Sequence, residues 1–305
     1  MATTMLDTAH LETTPVSFRR ILVVTDFSTQ AHMALVDAVR LATLFAGEIF
    51  VLHALPPMDV RYGDVLGMEA RQAAMALAQT AMAREVESMP DLARIPCLTR
   101  VEEGPLDLQV EQVVRSHHID LVIAGSRGAQ GLDKLLFGSS AESLIRRAPC
   151  PVLIVGPNAR QVDSLQSILF AADLELGSLR AAQYAAALAK TMQGTLTVMH
   201  VVNRVGPPQR EHRKVLEERL LHLLPRDAAM YFKSHIQVDH GQVAPRILRA
   251  ANLGGTELIV TGCRHNGAFA DHAAWRTLSK LIHDAQCPVL VVNGRLGEAT
   301  SAESL

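Results

Sequence analysis

The chain has 305 residues, 49% of them hydrophobic and 20% charged, with a net charge of −2 at pH 7. That is about twice the usual length of one domain with the composition of a folded protein, so two domains are expected and a disordered chain is excluded. Near-neutral charge without a Lys/Arg run, and only 4% aromatic residues, exclude nucleic acid and an anionic membrane as implied partners.

The N-terminal stretch MATTMLDTAHLETTPVSFRR has neither a basic start nor an apolar core, so no signal peptide is expected there. No apolar run reaches the roughly 18 residues that span a bilayer. Four scattered cysteines, Cys97, Cys150, Cys263 and Cys287, lack CxxC spacing and read as buried small hydrophobes of a cytoplasmic protein. The first strand is ILVVT (21–25), followed by a helix with Ala34, Ala38, Leu41 and Ala42 on one face and Gly47 as its C-cap. IFVLHAL (49–55) is the second strand, and 66–89, rich in Ala, Met, Leu and Glu, is a helix by propensity. DLVIAG (120–125) and PVLIVG (151–156) are further strands, β-rich and short as strands buried on both faces should be. Between them lies GSRGAQGLDKLLFGSS (125–140), a loop that enters a helix ending near Arg147; the polar stretch 156–167 reads as a linker.

After the linker the pattern begins again. Residues 21–53 align without a gap with residues 168–200, sharing Asp26/Asp173, Gly47/Gly194 and His53/His200. IDLVIAGSRG and CPVLIVGP find their counterparts in TELIVTGCRH and CPVLVVNG. The chain is thus a duplicated domain, 1–157 and 165–305, and alternating strands and helices predict a doubly wound α/β fold with a parallel sheet in each half.

In such sheets ligands sit beyond the C-terminal strand ends, where strand order reverses. The 125–140 loop leaves one of these ends. Gly125 and Gly128 are expected to take positive φ and let the backbone approach a ligand, while Gly138, Ser139 and Ser140 open a helix whose free N–H groups suit phosphate. Arg127 and Lys134 can neutralise phosphate charge or lie solvated. Ser139 with Glu142 is also a capping-box pattern, which would give Ser139 a purely local task.

Gly125-x2-Gly128-x9-Gly138-Ser139 matches the G-x2-G-x9-G-[S/T] nucleotide loop of the universal stress protein family. Asp26-Phe-Ser28 after the first strand, LHAL, AGSRG and APCPVLIV are similar to that family as well, across nearly all of both halves. The resemblance implies two tandem domains, each a five-stranded parallel sheet of order 3-2-1-4-5 flanked by helices. It implies a stress-response module that binds ATP, AMP or ADP, with magnesium as a further expectation. Carried over by position, Asp26 lies beside the adenosine, Ala54 or Leu55 offers backbone to the base, and Gly125, Gly128, Gly138 and Ser139 hold the phosphates. Ser28, Ser126, Arg127 and Ser140 complete the expected nucleotide site, and Ser28 or Ser126 could help hold a metal. A single acid without an obvious base fits a nucleotide sensor better than an efficient enzyme. A slow ATPase, a self-phosphorylating enzyme and a nucleotide-free scaffold are the alternatives.

In the second half His265, Trp275 and Arg276 replace Gly128, Gly138 and Ser139, and Glu175 stands where Ser28 does. Side chains in these places obstruct phosphate access, so one nucleotide per chain is expected, and the second half reads as structural or as binding another ligand. No metal site is expected: Cys263, His265 and His240 are weak candidates whose spacing fits no zinc signature. The resemblance further implies that the fifth strands of the two halves pair within the chain, which leaves a homodimer through other faces open.

Overall fold

A computed structural model describes residues 16–57, 65–126, 139–161, 163–174, 178–203, 210–226, 228–263 and 272–293. The first half runs β1 (Arg20–Val24), α1 (Thr29–Phe45), β2 (Glu48–Leu55), α2 (Val65–Glu87), β3 (Cys97–Glu103), α3 (Leu106–His117), β4 (Leu121–Gly125), α4 (Ser139–Arg147) and β5 (Val152–Val155). The second repeats the series: β6 (Ser167–Ala171), α5 (Ser178–Met192), β7 (Thr195–Val202), α6 (Arg210–Leu221), β8 (Lys233–His240), α7 (Val243–Leu253), β9 (Leu258–Cys263), α8 (His272–Asp284) and β10 (Val289–Asn293).

All ten strands form one sheet, ordered β3-β2-β1-β4-β5-β10-β9-β6-β7-β8. Each half therefore has the order 3-2-1-4-5 and is parallel throughout. The halves meet where β5 and β10 pair antiparallel, with Val152 opposite Val291, Leu153 opposite Leu290 and Ile154 opposite Val289. This joint covers two edges that would otherwise be open to association and leaves β3 and β8 at the rims of the sheet.

Central strands are apolar on both faces because helices cover both. One face carries Ile21, Val23, Ile49 and Val51 under α1 and α2, continuous with Phe170 and Val198 under α5 and α6. The other carries Leu22, Leu52 and Val122 under α3 and α4, continuous with Ile259 and Val289 under α7 and α8. Both layers cross the joint, so the two halves share their cores.

Gly47 does not take the left-handed cap expected of it. Ala46 does, at φ 48°, while the Gly47 N–H reaches Ala42 O at 2.8 Å. A β-carbon on Gly47 would stand 2.7 Å from Arg19 O, so glycine is required there for space. The second half repeats this with Gln193 at φ 50° and Gly194, whose β-carbon would meet Gln166 O at 2.4 Å. An acid at the next crossing fixes the start of each half. Asp120 accepts from the Arg19 and Arg20 N–H groups at 3.0 and 2.9 Å, and Glu257 accepts from those of Gln166 and Ser167 at 2.7 and 3.1 Å. No helix among the described residues is long and apolar enough to cross a membrane. Cys97, Cys150, Cys263 and Cys287, all among the described residues, form no disulfide.

Candidate functional site

From β1 the chain moves outward to β2 and β3, then returns to place β4 on the other side of β1. The switch point therefore lies between β1 and β4, and the crevice outside their C-terminal ends is where a ligand of an open parallel sheet belongs. Asp26 and Ser28 follow β1 there, and Gly125 ends β4 with Ser126 directly after it.

The turn after β1 is held by its own side chains. Thr25 Oγ1 accepts from the Phe27 N–H at 3.0 Å, Asp26 Oδ1 from the Ser28 N–H at 3.1 Å, and Ser28 Oγ from the Ala31 N–H at 3.2 Å as N-cap of α1. Phe27 is forced to φ 62°, a left-handed conformation that costs a bulky residue about 1–3 kcal/mol. Its ring stacks on His53 at 4.5 Å between centroids, and the His53 Nδ1 lies 2.8 Å from Thr25 O. Leu174 repeats the strain at φ 60°, and His200 Nδ1 lies 2.8 Å from Ala172 O. The conformation therefore belongs to the fold and does not distinguish the two halves.

Gly125 is not at positive φ. A β-carbon there would stand 2.9 Å from both the carbonyl carbon and Cβ of Gln30, so its bareness lets the end of β4 touch the first turn of α1. The next residue, Ser126, donates its N–H to Val155 O at 3.0 Å and is 3% exposed. Among the described residues its Oγ has no hydrogen-bond partner. A buried hydroxyl in that condition is uncommon and calls for a partner. Ala54 and Leu55 end β2, still in register with Glu102 and Glu103, and the Leu55 carbonyl accepts from the Gly104 N–H at 2.9 Å. The strand ladder thus already engages part of the backbone expected to meet a base.

Ser139 and Ser140 are the exposed first residues of α4. Glu142, the acid of the expected capping box, accepts from Arg146 Nε at 2.9 Å through its Oε1. Arg127, Gly128, Lys134 and Gly138 lie outside the described residues, as do Glu175 and His265 in the second half.

The matching crevice of the second half is built differently. The buried Ser178 hydroxyl donates to Asp173 Oδ1, and the Asp173 N–H reaches Ser178 Oγ at 3.3 Å. In the first half Ala31 occupies Ser178's place and offers Asp26 no such donor. Cys263 replaces Ser126; burial pushes its thiol up, Arg146 draws it back and Asp173 raises it further. Trp275 and Arg276 lie inside α8, which starts at His272, so they do not stand at a helix start. The Trp275 ring carries the guanidinium of Arg146, 4.6 Å from its centroid, and that arginine comes from α4 of the first half. No local sequence signal announces this contact, which exists only because β5 and β10 join the halves.

Of the weak metal candidates, His240 ends β8 and Cys263 ends β9, with β6 and β7 between them. Three strand spacings, about 14 Å, separate those strands, too far for one ion. No group of three or more His, Cys, Asp or Glu among the described residues could hold a metal. A cleft of about 500 Å³ opens on the opposite rim, between Arg20, Glu48, Phe50, Cys97 and His117. It lies at the N-terminal strand ends, away from the switch point.

The model of the "Universal stress protein family" matches residues 17–156 and again 164–293. A universal stress protein of Mycolicibacterium smegmatis is 27% identical over 293 residues, covering 90% of this chain and 97% of the relative. One from Thermus aquaticus is 28% identical over 138 residues, covering 45% of this chain and 98% of its own length, which makes it the equivalent of one half. Among solved structures, a universal stress protein from Archaeoglobus fulgidus superimposes with a TM-score of 0.67 at 21% identity, over 91% of this chain and 99% of that one. That last likeness is one of fold.

Proposed function

The chain belongs to the universal stress protein family, and we propose that it is a cytoplasmic stress-response module that binds one adenine nucleotide, ATP, ADP or AMP, in its N-terminal domain, residues 1–157. The observation that carries this reading is the buried Ser126 Oγ, which has no hydrogen-bond partner among the described residues and directly follows the end of β4 at the switch point, where the turn that bears Asp26 and Ser28 also leaves β1. A ligand oxygen supplies the hydrogen bond that folding withholds from it.

Asp26 accepts from the ribose, and Ser28 keeps its O–H to donate because its oxygen already accepts from Ala31. Ala54 and Leu55 edge the base. Gly125, Ser126, Arg127, Gly128 and Gly138 pass the phosphates to the N–H groups at the start of α4, where Ser139 and Ser140 stand exposed. Magnesium would be held chiefly by phosphate oxygens, since the described residues contain no acidic cluster for it. The C-terminal domain, 165–305, takes no nucleotide: Asp173 is engaged by Ser178 and its phosphate helix starts elsewhere.

Calorimetric titration with ATP–Mg²⁺ tests this. One site per chain is expected, lost on Gly138→Trp. A stoichiometry of two, or no heat and no thermal shift at millimolar nucleotide, overturns it.

A further inference from the structure

The antiparallel joint turns the two domains end for end: the C-terminal strand ends of the first half and those of the second lie on opposite rims of the sheet. Helix α4 begins on the first rim, at the end of the phosphate loop, and finishes on the second. From Ser139 to Arg146 it covers about 10 Å. Arg146 arrives there over Trp275 and near enough to Cys263 to oppose the rise that burial imposes on its thiol, on residues that form the second half's own crevice. One helix therefore touches both crevices.

We propose that Trp275 and Arg146 are positioning residues for the nucleotide site. The second domain, having no phosphate loop of its own, holds the far end of the helix whose near end meets the phosphates. This inference rests on the nucleotide reading above. The chain of contacts is short. Glu142 lies in the first turn of α4, about 5 Å along the axis from its start, and accepts from Arg146 Nε at 2.9 Å. Arg146 in turn stacks on the indole. A phosphate at the start of α4 attracts the helix amides and repels the Glu142 carboxylate, and both effects displace the guanidinium on the indole face. Reciprocally, a guanidinium fixed on Trp275 holds α4 in the pose the phosphates need, and linkage makes the two effects equal.

Trp275 is the only tryptophan in the sequence, so its fluorescence reports this contact in the intact chain. ATP–Mg²⁺ titration of the full-length protein is followed by calorimetry and by tryptophan emission together. The expected result is an emission change with the calorimetric midpoint, reduced in Glu142→Gln and absent in Arg146→Ala. Trp275→Ala weakens nucleotide binding by about threefold to fivefold, the usual worth of such a stack, and Trp275→Tyr restores it by keeping a ring face. Unchanged emission in wild-type protein that binds nucleotide by calorimetry overturns the coupling and leaves the nucleotide site standing. Unchanged affinity in folded Trp275→Ala does the same. Absence of binding heat in the wild-type chain overturns the nucleotide reading, and with it the coupling.

Discussion

Ser126 and Asp173 respond to mutation in opposite ways because one lacks a partner and the other has one. Removing an unsatisfied buried hydroxyl relieves a desolvation penalty, so Ser126→Ala should raise the stability of the ligand-free protein by about 1 kcal/mol while weakening ATP binding. Chemical denaturation and calorimetry read the two effects. Asp173→Ala takes away the acceptor of the buried Ser178 O–H and should cost about 1–2 kcal/mol without touching nucleotide affinity, whereas Asp26→Ala should lower affinity. Gly125→Ala should cost about 1–3 kcal/mol, as overpacking against Gln30 does, seen as a lower melting temperature before any ligand is added. The sequence singled out Gly125 through loop spacing, but its physical reason is contact with α1. A residue that closes a gap between distant segments looks, in one dimension, the same as one that opens a path for a ligand. Ser28 is similar: its type suits a ligand, and the structure also uses it as a helix cap.

The central strands were legible because β1, β2, β4 and β5 are apolar on both faces, and α1 because it carries one apolar side, patterns that need no knowledge of neighbours. The edge strands β3 and β8 are less buried and lack that signal. What depends on neighbours was hidden: the left-handed Phe27, the shift of the Gly47 cap to Ala46, and the start of α8 at His272, which places Trp275 inside a helix. Two equivalent thiols give the strand joint a pH signature. Cys150 and Cys287 precede β5 and β10, and burial pushes each from 9.0 up to about 12. The native state therefore retains protons that the unfolded chain releases above pH 9. Stability is fully present below that value and falls as pH climbs towards 12. Denaturation midpoints should decline over this range, and the paired Cys150→Ala, Cys287→Ala variant should decline less steeply. Parallel slopes would contradict that assignment.

At the scale of the molecule, the repeat in the sequence foretold two like domains, and the family resemblance foretold their pairing through the fifth strands. The single ten-stranded sheet and the opposed rims became visible only with the strand register. Residues 1–157 produced alone should expose β5 and form a homodimer through it, detected by light scattering on a sizing column; a stable monomer would show that the edge needs no cover. Such a homodimer would carry every interface contact twice, since each surface would face its own copy. The linker between β5 and β6 lifts that obligation. The mirror of Arg146 is His283 and the mirror of Trp275 is Gly138, so the cation on the indole has no twin. Fusion has broken the symmetry of the pair, and mutations that would change both sites of a homodimer can here alter one copy while the other keeps its glycine-rich loop.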